Sequence, residues 1–178
     1  MKHHFPKLNV LLVILLSFVV GCSNATEAEK GKEAESDQVW VGNFIQTELE
    51  NGEASHIQVQ HVLIGFEGSV PGKDVTRSKE EAEALANEIL EKARSGTDFF
   101  SLVEEHSDDS YPGIYNMANF GQRGDMEHFN QTKIVFSREG MVGAFGNVGF
   151  PLKAGEVGIA NYDPEESKYG WHVIKRLR

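Results

Sequence analysis

Cysteine is almost absent from this chain of 178 residues, which limits what can hold its fold together. The single cysteine, Cys22, cannot form a disulfide within the chain. Long runs of lysine or arginine are absent too, and the formal net charge is −10. Because a nucleic-acid backbone requires basic stripes on its partner, this balance argues against nucleic acid as the main partner. The length suits one globular domain with extensions.

A long membrane-spanning run is also lacking. The apolar run Leu8 to Val20 is too short for a comfortable span, and it follows a start with two lysines and no acid. Together with Cys22, the pattern is similar to a bacterial lipoprotein signal over residues 1–21, in which cleavage leaves the thiol to carry diacylglycerol. That cleavage would take the net charge from −10 to about −12. An ordinary signal peptide, cut after Ala25, is the alternative.

Two short stretches separate this signal from the main domain, residues 56–178. Residues 22–38 contain no aromatic side chain and little apolar surface. We therefore expect a disordered tether that begins at the lipidated Cys22. Residues 39–55 contain the turn signal Asn51-Gly52, which predicts an extra N-terminal strand and hairpin.

The main domain contains both helix and strand signals. Ser78-Lys79-Glu80-Glu81 is a capping-box pattern that opens a helix, which Gly96 ends, and Thr97 is expected to cap a second helix through His106. Residues 108–138 show no period and predict a long loop or flap. The other expectations are strands at 57–64, 157–160 and 171–177 and a short helix at 139–147. This order predicts an α+β fold, with helices packed around a small, mostly antiparallel four-stranded sheet.

Two distant β-prone runs each contain one histidine. Gln60-His61-Val62-Leu63-Ile64-Gly65 lies near the start of the main domain, and Gly170-Trp171-His172-Val173-Ile174-Lys175 lies near its end. Alternation along each strand places each histidine on a defined face of the sheet. If the two strands are neighbours, the imidazoles of His61 and His172 meet in the middle of the sheet.

Further short motifs occur between these two runs. In order they are Asp98-Phe99-Phe100-Ser101-Leu102-Val103, Ser107-Asp108-Asp109, Phe136-Ser137-Arg138-Glu139-Gly140-Met141 with Phe145, and Leu152-Lys153-Ala154-Gly155-Glu156-Val157. No single piece is specific, but the ordered set resembles the parvulin family of peptidyl-prolyl cis/trans isomerases over roughly residues 56–178. The resemblance implies a parvulin-like fold and a prolyl isomerase without cofactor or metal. Its partners would be unfolded or extended proline-containing polypeptides.

The resemblance also implies roles for individual residues. Met141 and Phe145 would bind the proline ring, and their i, i+4 spacing would put both on one helical face. The alternative is that they are simply the buried side of that helix. His61, His172 and Asp109 match the catalytic positions of the family. The histidine pair would either shape the field around the twisting amide or only tie two strands together. Asp109 would either face the amide or cap a turn.

One departure from the family pattern concerns the pocket. A Gly-Gly-Asp-Leu-Gly-like stretch is missing, and residues 110–135 form an insertion instead. Lys133 falls near an expected apolar pocket position. The pocket would therefore either lack one wall or receive it from the insertion, through Phe120 or Phe129. The basic residues before the first helix are too scattered to predict recognition of phosphorylated substrates.

These observations lead to one main functional hypothesis and two alternatives. The main one is a monomeric prolyl isomerase, extracytoplasmic and lipid-anchored to a bacterial membrane, which assists the folding of exported proteins. The first alternative is a non-catalytic proline-peptide-binding module or chaperone of the same fold, which the insertion favours. A structural envelope lipoprotein, the second alternative, would leave the paired histidines unexplained.

Overall fold

The structure is a computed structural model that describes residues 38–128, 130 and 133–178. The predicted signal at 1–21, Cys22 and the predicted tether up to residue 37 lie outside the described residues, as does Phe129. Within the described ranges, no helix has the length and apolarity that crossing a membrane requires.

The described residues form short strands and three α-helices. The strands are β1 (Trp40–Val41), β2 (Phe44–Ile45), β3 (His56–Ile64), β4 (Ile114–Ala118), β5 (Val135–Ser137), β6 (Val157–Ala160) and β7 (Trp171–Arg176). The helices are α1 (Lys79–Arg94), α2 (Phe99–His106) and α3 (Gly143–Gly149), and a 3-10 turn spans Arg138–Gly140. The expected α+β class is confirmed.

Five of the strands form the central sheet, in the order β5-β4-β3-β7-β6. The central strand β3 pairs antiparallel with β4 and β7, and β7 pairs antiparallel with β6. β4 and β5 run parallel to each other. The expected sheet of four strands is therefore wrong in number, and the sheet is mixed.

The two strands that the sequence does not predict, β4 and β5, lie within residues 108–138. The second half of β4 is buried on both faces, because Asn116 and Met117 are both almost inaccessible. Asn116 accepts a hydrogen bond from Gln58 Nε2 (2.8 Å) and donates one to the Ile134 carbonyl (3.0 Å). A buried polar residue whose hydrogen bonds are satisfied interrupts the apolar–polar alternation on which strand prediction depends.

Local signals at the helix ends are mostly confirmed. Ser78 Oγ accepts the Glu81 backbone N–H (3.2 Å) and Glu81 Oε2 accepts that of Ser78 (2.7 Å), which completes the capping box of α1. Gly96 follows α1 with a φ of 96°. The N-cap of α2 is Asp98 rather than Thr97, since the Asp98 carboxylate accepts the backbone N–H three residues later (2.9 Å).

The helices α1 and α2 cover one face of the central sheet. From β3 and β7, alternate residues face them, and the buried cluster there contains Val62, Ile64, Trp171, Val173 and, from α1, Ile89. The opposite face carries a second apolar cluster under α3, which includes Ile57, Val59, Phe145 and Ile174. The strand alternation expected from the sequence therefore separates two cores.

Residues 39–55 form two short strands and a separate bridge, where the sequence predicts one extra strand and a hairpin. β1 and β2 make a two-stranded ribbon, and the Asn51-Gly52 turn closes a separate bridge between Glu48 and Ala54. The Gln46 side chain donates to the His56 carbonyl (2.6 Å), and Arg138 Nη1 donates to Glu53 (2.9 Å). This segment is thus packed onto the sheet as part of one compact unit with the rest of the described chain.

Candidate active site

The two predicted histidines meet at the centre of the sheet. In the antiparallel register His172 lies opposite Leu63 and His61 lies opposite Ile174, so the imidazoles are diagonal neighbours on one face. Their Nδ1 atoms are 3.1 Å apart, and the ring planes differ by 12°. Both side chains are almost completely buried. The prediction that the imidazoles meet is confirmed.

Asp109 lies beside the histidine pair, where the chain leaves α2. Its Oδ2 is 2.9 Å from His61 Nε2 and accepts a hydrogen bond from the Tyr115 hydroxyl (2.8 Å). The neighbouring Asp108 has a different environment, since its carboxylate accepts from the Gly65 N–H (2.8 Å) and from Arg77. The structure thus separates Asp109, which faces the histidine pair, from Asp108, which fixes loops.

Burial and hydrogen bonding set the charges of this network. Burial would raise the pKa of Asp109, but hydrogen bonds from His61, the Ser110 backbone N–H and Tyr115 outweigh it and hold the pKa well below its usual range. Burial, reinforced by the proximity of His61, lowers the pKa of His172 to about 3. Asp109 is therefore an anion and His172 is neutral at pH 7.

These charges define the hydrogen-bond directions. An ionised Asp109 can only accept, so His61 Nε2 must donate its proton to it. When His61 is neutral, its Nδ1 is an acceptor, and the Nδ1–H of His172 donates to it. The Nε2 of His172 is then an unprotonated acceptor, and it has no hydrogen-bond partner among the residues that the structure describes. A neutral pair therefore has one consistent set of tautomers.

Tyr115 is the site residue that the sequence reasoning missed. It pairs with Val59 in the antiparallel β3–β4 register, which places its ring on the histidine face of the sheet. The ring packs edge-on against His61 (centroids 5.3 Å apart) and against Phe145 (6.0 Å). Burial and the Asp109 carboxylate both raise the pKa of Tyr115, so its hydroxyl remains a donor. Recognising β4 as a strand would have revealed this position.

A glycine allows β4 to approach the network closely. Gly113 has a φ of 65°, and a Cβ there would lie 2.7 Å from the His61 carbonyl oxygen. The Gly113 carbonyl in turn accepts the His61 backbone N–H (3.0 Å). Only glycine fits this contact without a shift, so it sets the position of Tyr115, two residues further along.

A mainly apolar pocket of about 320 Å³ opens beside the network. Phe145 is buried beneath it and stands edge-on to both imidazoles, with centroids 5.0 Å from His61 and 5.5 Å from His172. Met141 lines the same pocket and is half-buried. The remaining walls come from Leu63, Val70, Pro71, Asp109, Tyr115, Val142 and Tyr169. The structure thus brings together all five residues expected to be catalytic or to bind substrate.

Two details of the expected pocket are wrong. Met141 and Phe145 do not share a helical face, because Met141 is extended (φ −94°, ψ 167°) and α3 starts only at Gly143. Phe120, one of the two expected candidates for the missing wall, does not line the pocket, since it is 55% exposed and packs on the Arg138 guanidinium. The other candidate, Phe129, lies outside the described residues. In the described part of the insertion, Tyr115 supplies a wall of the pocket.

His56 lies apart from the active site. It points to the other sheet face, where it stacks on Phe44 (4.5 Å) and bonds to the Arg123 carbonyl (3.0 Å), so its role is structural.

In the part of the chain that the structure describes, no group of three or more His, Cys, Asp or Glu side chains is placed to hold a metal ion.

Comparisons with known proteins agree with this geometry. Residues 44–177 match the family model of the PPIC-type PPIase domain. The chain is 29% identical over 137 residues to Chaperone SurA of Chromohalobacter salexigens, covering 74% of this chain and 26% of that protein. It is also 29% identical over 144 residues to Foldase protein PrsA of Oceanobacillus iheyensis, covering 81% and 37%.

Among solved structures, peptidyl-prolyl isomerase ESS1 from Candida albicans superposes with a TM-score of 0.50 at 21% identity, over 74% of this chain and 66% of that one. At this identity the likeness concerns the fold alone. The chain belongs to the PPIC-type PPIase domain family, as the resemblance to parvulins implies. It spans about a quarter and about a third of the two curated relatives.

Proposed function

We propose that this domain is a peptidyl-prolyl cis/trans isomerase whose active site is the pocket between Phe145 and the His61–Asp109 network. The observation that carries the proposal is the direct contact of an apolar pocket with a partly buried, ionised carboxylate. Family membership supports the same activity. The substrates are proline-containing polypeptides in an extended or unfolded state.

The chemistry requires a site that prefers a twisted amide. Rotation about an X–Pro bond faces a barrier of about 20 kcal/mol that arises from amide resonance, and lowering it requires no covalent intermediate. The proline ring occupies the apolar pocket over Phe145 and against Met141, which removes water from the bond. Only interactions that are stronger with the twisted form than with either planar form accelerate rotation.

Asp109 supplies such an interaction. Amide resonance places partial negative charge on the carbonyl oxygen, and a nearby carboxylate disfavours that charge. Twisting the bond reduces the charge, so an anion beside the oxygen destabilises the planar state more than the twisted one. Asp109 fits this role because its hydrogen bonds keep it ionised even though it is partly buried.

The histidine pair and Tyr115 act through Asp109. His61 Nε2 and the Tyr115 hydroxyl both donate to the same carboxylate oxygen, Oδ2, and thereby fix the direction of the carboxylate. His172 supports His61 through the Nδ1 contact. We assign all three as positioning residues, and the pair also ties β3 to β7.

In the cell, the domain would work outside the cytoplasm as a monomer, held to a bacterial membrane through diacylglycerol on Cys22. The predicted lipoprotein signal and the predicted tether support this arrangement. The names of two relatives, a foldase and a chaperone, support a role in the folding of exported proteins.

Two observations favour a second candidate function, a chaperone that binds polypeptides without isomerising them. A relative at 29% identity is named a chaperone, and Tyr115, which forms one wall of the pocket, comes from the insertion. In that case the pocket would bind proline segments but would not alter their rotation rate.

The two functions are separated by measuring cis/trans exchange of an Xaa-Pro peptide by NMR with substoichiometric protein. We expect acceleration by the wild type and a loss of about tenfold or more in Asp109→Asn. Asp74→Asn, a matched change in an exposed loop, should retain full activity. Peptide binding with an unchanged exchange rate would overturn the isomerase proposal in favour of the chaperone.

A further inference from the structure

A second apolar groove opens at the edge of the sheet, next to the proline pocket. It has a volume of about 460 Å³ and lies between the Tyr111–Tyr115 segment on one side and Ile134 and Phe136 on the other. We call it the edge groove. Its apolar side chains are not packed away, since Tyr111 is 60% exposed and Ile134 and Phe136 are partly exposed.

Strand geometry explains why the groove exists. The parallel pairing of β4 with β5 starts at Asn116 and Val135, so Tyr115 and Ile134 stand just ahead of it, where the two strands part. The Asn116 side chain holds the far wall by donating to the Ile134 carbonyl (3.0 Å). The groove is therefore bounded on one side by the start of β4 and the turn before it, and on the other by Ile134 and the start of β5.

The groove adjoins the proline pocket at one shared side chain. Tyr115 lines both cavities, with its ring 6.0 Å from Phe145 in the pocket and 5.7 Å from Phe136 in the groove. An extended chain advances about 3.3 Å per residue. If a proline lies in the pocket, a side chain roughly two to four residues away in the same polypeptide would therefore reach the groove.

We propose that the edge groove is a specificity subsite that takes a large apolar or aromatic side chain of the same polypeptide. This inference rests on the proposed function, because it assumes a proline peptide in the pocket. The aromatic and aliphatic lining, Tyr111, Ile114, Ile134 and Phe136, fits such a side chain rather than a charged one. Unfolded proteins expose segments of this kind, in which an apolar residue lies close to a proline.

The test uses short proline peptides that carry a single phenylalanine at each position from four residues before to four residues after the proline, with serine elsewhere. Binding is measured by fluorescence titration and KM by NMR exchange, with the full chain. We expect phenylalanine at one or more positions two to four residues away, on one side, to tighten binding and lower KM by about tenfold. In Ile134→Ala and in Tyr111→Ala, this preference for phenylalanine should largely disappear.

Phe100→Ala is the matched control, because Phe100 is an exposed aromatic on α2 outside both cavities and should leave the preference intact. Equal binding of all peptides by the wild type would overturn the proposal, as would a preference that survives both groove variants. If no peptide is isomerised but the preference in binding depends on Ile134, the groove stands and the isomerase activity fails.

Discussion

The two faces of the central sheet are built from the same strands but have different compositions. Alternate residues of β3 and β7 point to opposite sides. The face towards α1 and α2 carries an apolar cluster that includes Val62, Ile64 and Val173. The opposite face carries His61 and His172, hydrogen-bonded to each other above Phe145. One residue step along a strand thus separates a core that only stabilises from one that also forms a site.

The two faces therefore differ in what burial contributes to the stability of the fold. On the helix face, burial contributes stability at about 25 cal/mol per Å². On the site face, His61, His172 and Asp109 are desolvated fully or in part and depend on one another for hydrogen bonds. Among the described residues, His172 Nε2 has no hydrogen-bond partner. We therefore expect changes on the helix face to alter stability alone, and changes on the site face to alter stability and rate together.

The largest expected effect comes from a pair of truncations, Phe145→Ala on the site face and Ile89→Ala on the helix face. Both side chains are essentially inaccessible. We expect losses of about 3–5 and 2–5 kcal/mol in the free energy of unfolding, because each leaves a cavity. Urea denaturation measures this, and exchange NMR under folding conditions should show loss of most activity only in Phe145→Ala. Equal retention of activity in both variants would remove the distinction between the faces.

The next effect is a pH dependence of stability that belongs to the site face. The pKa of His172 is about 3 in the fold, against an ordinary value of 6.5. Between these values the unfolded state binds more protons, so stability is complete above about pH 6.5 and falls as the pH is lowered. One proton corresponds to at most about 1.4 kcal/mol per pH unit. Urea titrations at pH 7, 6 and 5 measure the free energy of unfolding at each pH. Between pH 7 and pH 5 this free energy should fall less in His172→Gln than in the wild type. An equal fall in both proteins would contradict the neutral buried state of His172.

A smaller effect distinguishes two buried histidines on opposite faces. His61→Ala removes one of the hydrogen bonds to the Asp109 carboxylate and leaves His172 Nδ1 without its acceptor, which we expect to cost about 1–3 kcal/mol and to lower the isomerisation rate. His56→Ala also removes a buried, hydrogen-bonded ring, but on the other face. Thermal melts should show that both variants are destabilised, while the rate per folded molecule should fall only in the first. A rate loss of equal size in His56→Ala would point to general destabilisation instead.

The smallest effect concerns a single hydroxyl. Tyr115→Phe keeps the ring in the pocket wall and removes only the hydrogen bond to Asp109, which we expect to cost about 1 kcal/mol. Because Asp109 then loses one donor, the pKa of its carboxyl should rise towards the usual range. Carboxyl ¹³C NMR titration would detect the change, with Tyr169→Phe, another pocket tyrosine, as the control. An unaltered Asp109 titration would show that Tyr115 does not position it.

The parts of the molecule that the sequence predicted were those with local signals. The capping box at Ser78, the glycine after α1 and the alternation in β3 and β7 all act within a few residues, and the histidine pairing follows from two such strands being neighbours. The positions of Met141, Phe145 and Asp109 at the site came from the family resemblance rather than from periodicity.

The features that the sequence did not predict depend on contacts between residues that are far apart in the chain. β4 contains Asn116, which is buried only because Gln58 and the Ile134 carbonyl satisfy it, and no local pattern announces that arrangement. Without β4, Tyr115 has no predicted face, so the sequence offers only Phe120 or Phe129 of the insertion as a candidate for the missing pocket wall. Met141 was placed on a helix because i, i+4 spacing cannot show that α3 starts two residues later.

In the proposed mechanism, the proline ring of the substrate lies over Phe145 beside the ionised Asp109. Intermolecular NOEs between a proline peptide with ¹³C-labelled proline and the protein test this directly. We expect NOEs from the proline ring protons to the Met141 methyl group and the Phe145 ring, together with accelerated cis/trans exchange of the same peptide. Proline contacts confined to other surfaces of the domain would contradict it.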